Sequence, residues 1–296
     1  MDEIAIQLGE VRTNRDGFER ILDAVNAMQD GCDVDYVLDM SHLSWLDANM
    51  CAPLGALLRA KVANGVQIGI VDPPGEAGRI MMKNGFLASF GRPVIRDSHD
   101  TTIRYQPFDI DQAGSRAFQA YVTEHFRPGV KGLPEMTPAL LTRFTNSLFE
   151  IYENAQEHSE TRYGVYACGQ YYPKKQRLDF TIADLGMGIA ESIRRKGGVV
   201  SEPEDAIQWA VSWKTTRIDS RRPGGLGLQL LREFIGLNQG KLMIVSDAGY
   251  WCSSPSGVYR QHMTAQFPGT VVTVEINTAD TQSYGLTSEI DRGSIF

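Results

Sequence analysis

The sequence predicts an α/β protein of two domains, a small α/β domain followed by a larger α/β sandwich with a mixed sheet covered by helices. Three observations carry that expectation. Strand-like and helix-like segments alternate through the first hundred or so residues, the character of the chain changes between 101 and 137, and a long amphipathic segment from Pro138 to His158 opens a second series of elements. At 296 residues and 42% hydrophobic content the chain can build two cores.

In chain order, Ile4 to Val11 is strand-like, and Phe18, Ile21, Leu22, Val25 and Met28 recur at helical spacing. Val34 to Met40 reads as a second strand, and Ala48 to Val62 as a helix with Pro53 in its first turn. Gln67 to Val71 is a third strand, stopped by Asp72-Pro73-Pro74-Gly75, and a short helix over Glu76 to Met82 ends at Asn84-Gly85. Ile103 to Phe108 reads as an edge strand, Gln112 to His125 as a helix, and Arg127 to Pro138 as a Pro/Gly-rich connector. The expected organisation is a first domain over 1–106, a helical connector over 107–137, a second domain over 138–278 and a loosely ordered polar tail over 279–296.

Composition narrows the function classes. No apolar run approaches the roughly 20 residues that cross a bilayer, so no membrane partner is expected. The start has neither a basic segment nor an apolar h-region, which makes a cytoplasmic location the expectation. Cys32, Cys51, Cys168 and Cys252 fall in no zinc or redox spacing. With a net charge of −7 and no long Lys/Arg block, nucleic acid is not indicated.

The chemistry lies in three patches. Glu150 and Asn154, four residues apart on the 138–158 helix, project from the same side. An amide oxygen there can ligate Mg2+, and a carboxylate one turn away can orient or deprotonate a water. The same pair also occurs on many helices as an exposed polar stripe. The strand Arg177 to Ala183 runs into Asp184-Leu185-Gly186-Met187-Gly188, where the glycines let backbone approach a planar ligand and Asp184 can accept from an exocyclic amine. An ordinary strand-to-helix turn is the alternative. Gly224-Gly225-Leu226-Gly227 opens a further helix, whose free N–H groups suit phosphate. Lys214, Thr215, Thr216 and Arg217 lie in a glycine-flanked segment, 197–225, long enough to close as a lid. Neither a P-loop nor a dinucleotide fingerprint is present.

Two resemblances follow from these residues. From Tyr36 to Leu58, with Asp39-Met40-Ser41 and Trp45-Leu46-Asp47, and on through Ile68-Gly69-Ile70-Val71 and Gly85-Phe86-Leu87, the chain resembles the STAS domain of anti-sigma-factor antagonists. In regulatory members of that family a hydroxyl residue just after the aspartate is phosphorylated. Here Ala48-Asn49 follows Asp47, with no hydroxyl. From about Pro138 to Asn277, Asn154-Ala155-Gln156-Glu157-His158-Ser159, the Asp184-Gly186-Gly188 turn, the 224–227 glycines and Pro268-Gly269-Thr270 resemble the nucleotide-binding motifs of the GHKL (histidine kinase/HSP90-like) ATPases.

That second resemblance implies ATP and Mg2+ as cofactors. It makes Asn154 the metal ligand, Asp184 the adenine reader, Gly186 and Gly188 the turn beside the base, and Gly224, Gly225 and Gly227 the phosphate loop; closure of the 197–225 lid can bring Lys214, Thr215 and Thr216 to the same phosphates. Glu150 matches the water-activating position of the hydrolysing branches. His158 either borders the site or interacts with the helix end, and Thr270 is either a pocket contact or a residue at the start of a strand. Two functions are expected as alternatives. One is a slow Mg-dependent ATPase or nucleotide-gated switch acting on a protein partner or a second copy. The other is an anti-sigma-factor-type serine/threonine kinase or partner-switching regulator fused to its STAS antagonist.

Overall fold

In the computed structural model, residues 2–31, 34–130, 133–212, 227–286 and 289 are described. The N-terminal part is a parallel three-stranded sheet, β1 (Asp2–Gln7), β2 (Val34–Asp39) and β3 (Gln67–Val71), in that order. Helices α1 (Arg15–Asn26), α2 (Cys51–Ala63) and α3 (Gly75–Lys83) follow the successive strands, with a 3-10 turn at Ala48–Met50 leading into α2. The expected rhythm is therefore present, although β1 ends at Gln7 and Val11 makes only an isolated bridge to Leu46. Asn14 caps α1 by accepting from Gly17 N at 2.9 Å, which sets the start of that helix.

Thereafter come β4 (Thr102–Phe108), α4 (Gln112–His125), β5 (Glu135–Met136), α5 (Pro138–His158), β6 (Val165–Tyr172), β7 (Arg177–Asp184), α6 (Ile189–Arg195), α7 (Pro203–Ser212), α8 (Gly227–Leu237), β8 (Lys241–Ser254), β9 (Gly257–Asn277) and β10 (Ser283–Tyr284). The second sheet has the order β4-β6-β7-β9-β8 and is antiparallel at every pairing, where a mixed sheet was expected. Hairpins join β6 to β7 and β8 to β9, and such short connections force antiparallel neighbours.

Alternation along these strands sorts the residues between two faces. Leu178, Phe180, Ile182, Val272, Val274 and Ile276 pack with Phe118, Phe144, Leu148 and Phe234 of α4, α5 and α8. The opposite face contributes Tyr166, Cys168, Ala183, Met243, Val245 and Val271 to one continuous core with α1, α2 and the parallel sheet. Between the two sheets lies α2, whose first eight residues, Cys51 to Leu58, are all buried. A helix buried on every side needs no polar stripe, and this stretch of α2 has none.

Two further segments are tied in by strand pairing. The edge strand β4 pairs with β6, so the residues on both sides of position 106 belong to the antiparallel sheet. In the 279–296 segment, β10 pairs with β5, and Tyr284 packs edge-on against Phe234 with its ring centroid 5.5 Å away. An aromatic anchor thus holds Tyr284 in an otherwise polar stretch.

Candidate functional site

Helix α5 carries the first wall of the site. Thr137 caps it by accepting from Leu140 N at 3.2 Å, Pro138 occupies its first turn, and Leu140, Phe144, Leu148, Ile151 and Tyr152 are buried. That buried stripe sets the helix rotation and leaves Glu150 and Asn154 half-buried at the rim of a 470 Å³ cavity. The volume lies within the roughly 300 to 1,000 Å³ of small-molecule sites. His158, one turn on, lines the same cavity.

Strand β7 delivers Asp184 to the floor. The residue is 6% exposed, and its Oδ1 is buried without a hydrogen-bond partner. Burial pushes its carboxyl up to about 7, with the Ser159 hydroxyl partly offsetting the shift. A buried acceptor left unpaired costs about 1–3 kcal/mol, so it marks where a donor belongs.

The glycine turn after Asp184 is shaped by close packing. A Cβ on Gly186 would come within 2.2 Å of the Ser159 carbonyl, and Met187 N donates to that carbonyl at 2.5 Å. Gly186 thus docks the turn on the end of α5 and stands behind the cavity wall, whereas Gly188 lines it. A Cβ on Gly188 would meet the Asp247 carboxylate at 2.5 Å. Thr270 pairs with Asp184 in register and faces the cavity. Before it, Gly269 has φ +149, and a Cβ there would lie 2.1 Å from the Asp184 carbonyl. Ser246 ties this floor together, accepting from Ile189 N at 2.8 Å and lying 3.0 Å from Gly269 O and 3.1 Å from Thr270 Oγ1.

The remaining walls come from α6, α7 and the start of α8, including Ser192, Lys196, Trp209 and Leu228. Gly227, the first residue of α8, donates its backbone N–H to Glu150 Oε2 at 3.0 Å. Glu150 and Gly227, predicted for different roles, are thus direct partners. Of the other expected site residues, Lys214, Thr215, Thr216, Gly224 and Gly225 lie outside the described residues.

Sequence reasoning missed Trp209, Ser246 and Asp247. The signal for α7 was present, because Ala206, Ile207 and Val211 have helical spacing and are buried, but they lie inside a segment read as a lid. Asp247 sits at a bulge in β8 with φ +52, and burial raises its carboxyl above the usual range. Nothing local in the sequence announces that position.

The seam between the two sheets holds a second polar group. Arg177 on β7 lies 3.2 Å from Asp47 Oδ1, 3.1 Å from Asp179 Oδ2 and 3.4 Å from Glu275 Oε2. Burial drives the Asp179 carboxyl well above its ordinary range despite Arg177, and neither of its oxygens has a well-directed hydrogen bond.

No protein-family model matches the chain, and no curated protein matches it significantly. Among solved structures, the histidine kinase domain from Erythrobacter litoralis EL346 blue-light activated histidine kinase is similar over 90% of this chain and 94% of that chain, at 12% identity and a TM-score of 0.27. No helix among the described residues is long and apolar enough to cross a membrane.

Proposed function

We propose that the chain binds ATP with Mg2+ in the cavity between α5, the Asp184 turn and α8, and that it works as a nucleotide-gated switch with slow hydrolysis. The observation that carries this reading is the buried, unpartnered Oδ1 of Asp184. An exocyclic amine supplies the donor that this oxygen lacks. Adenine has such an amine where guanine has a carbonyl acceptor, so the floor discriminates between them.

The surrounding residues fit the rest of the ligand. Ile151, Met187, Ile189 and Val272 give the cavity apolar surface for a base, and the start of α8 presents N–H groups suited to phosphate. Asn154 would hold the magnesium ion through its amide oxygen. Magnesium, when bound, neutralises charge on the phosphate oxygens. Glu150, at the rim and against the start of α8, is the carboxylate available to orient a water near a terminal phosphate.

Strand β7 supports the switch over self-phosphorylation. The same strand ends at Asp184 and carries Arg177 and Thr181, which bind Asp47 and Asn49 of the STAS-like part. Ala48 and Asn49 are fully buried and offer no hydroxyl, so phosphate transfer to those two positions has no acceptor. Nucleotide binding at one end of β7 can instead bias the contacts along its length, and through them a partner protein.

Titration of ATP and GTP with and without Mg2+ tests the assignment. ATP is expected to bind at least tenfold more tightly than GTP, with Mg2+ strengthening it. Comparable GTP affinity would overturn the role of Asp184, and Mg2+-independent binding that of Asn154.

A further inference from the structure

We propose that Glu150 determines the ligand class of this cavity: its carboxylate occupies the anion seat at the start of α8, and a ligand's phosphate group binds by displacing it. The idea rests on the nucleotide reading above, but concerns the phosphate end of the site alone.

The geometry is that of an internal anion on a helix N-terminus. Glu150 Oε2 accepts from Gly227 N at 3.0 Å, and α8 runs eleven residues from Gly227 to Leu237. The first N–H groups of such a helix have no partner within it, and its dipole favours negative charge there. Gly227 is shaped to the contact, since a Cβ on it would lie 2.7 Å from the same Oε2. A second observation points to a ligand in the adjoining space: Asp184, more than nine-tenths buried, lines the same cavity with an unpartnered oxygen. Leu228, next to Gly227, lines it too.

A phosphate oxygen and a carboxylate oxygen are acceptors of similar size and charge, so they compete for one N–H. A polyphosphate can win that exchange because it brings several charged oxygens. A ligand without phosphate never contests the seat. Glu150 therefore weakens phosphate-bearing ligands by an amount that includes its bond to Gly227, and leaves the base end of the site untouched.

Three substitutions separate this idea from simple charge repulsion. Glu150→Gln keeps the shape and removes the charge, Glu150→Ala removes the group, and Glu150→Asp keeps the charge but withdraws it by one methylene from Gly227. Binding of inorganic pyrophosphate, ATP and adenosine is measured for each by calorimetry, after thermal melting shows which variants are folded. Pyrophosphate and ATP are expected to bind all three roughly five- to tenfold more tightly than native protein, with adenosine unchanged. Native-like or weaker pyrophosphate and ATP binding by Glu150→Asp, even where Glu150→Gln binds more tightly, would overturn the proposal in favour of simple charge repulsion. If adenosine and ATP fail to bind anywhere while pyrophosphate still tightens, the adenine reading falls and the anion seat stands. If no probe binds, both fall.

Discussion

Asn49 donates its side-chain amide to Thr181 Oγ1 at 2.9 Å, fastening the loop after Trp45-Leu46-Asp47 to the middle of β7. Its carbonyl accepts from Thr13 Oγ1 at 3.1 Å, and Thr181 pairs in turn with Thr273 Oγ1 at 2.8 Å. The chain of bonds crosses from the segment before α1, through the turn before α2, to two strands of the antiparallel sheet. It also places the seam on the strand that ends at Asp184.

Since Asn49 is fully buried with both ends of its amide engaged, Asn49→Ala leaves Thr13 and Thr181 short of a partner. A loss of about 1–3 kcal/mol in folding free energy is expected from denaturant unfolding. With one core continuous through both sheets, fluorescence and circular dichroism should follow the same single transition. Two separated transitions would mean that the sheets unfold independently.

Removing Arg177 strands the acids around it. Arg177→Met is expected to cost about 3–5 kcal/mol at neutral pH, because Asp179 stays buried without its countercharge. The Asp179 carboxyl is raised in the folded protein, so its contribution to stability is present in acid and lost as pH rises. The penalty for Arg177→Met should accordingly shrink as pH is lowered, and urea midpoints for the two proteins across that range check it.

Asp184 makes a similar statement at the cavity. Its carboxyl is lifted from 3.8 to about 7, so its contribution to stability is complete below about pH 4 and is lost as pH rises through 7. Without ligand, Asp184→Asn should therefore gain on native protein between pH 4 and pH 8, by on the order of 4 kcal/mol. Adenosine affinity should move the other way in the native protein, falling toward tenfold per unit as pH drops below 7, because the accepting form is the carboxylate. Asp184→Asn should show no such dependence.

At the floor, Gly269→Ala places a Cβ 2.1 Å from the Asp184 carbonyl and strains a backbone at φ +149. A loss of about 1–3 kcal/mol or more is expected, with weaker ATP binding, since Thr270 and Asp184 must shift together. Thermal melting and a nucleotide titration on one preparation read both effects.

How much of this was legible in the sequence depended on range. Helix α5 was readable to its ends because Leu140, Phe144, Leu148 and Ile151 keep one period and Thr137-Pro138 caps it. The strand leading to Asp184 was readable from its alternation. The part of the long β8–β9 arm before Thr270 was not, because its register shifts around Asp247 break the period and residues 257–262 are exposed. The bond between Glu150 and Gly227 spans 77 positions, and that between Asp47 and Arg177 spans 130. Contacts at such separations are made by packing, and local pattern carries no trace of them.

Calorimetric titration of ATP into native protein and Asp184→Asn at pH 8, with Mg2+ present, tests the central claim most directly. The buried carboxylate reading predicts that the substitution weakens ATP by roughly 10- to 100-fold, the worth of a charge-assisted hydrogen bond. Equal affinity in the two proteins would contradict it.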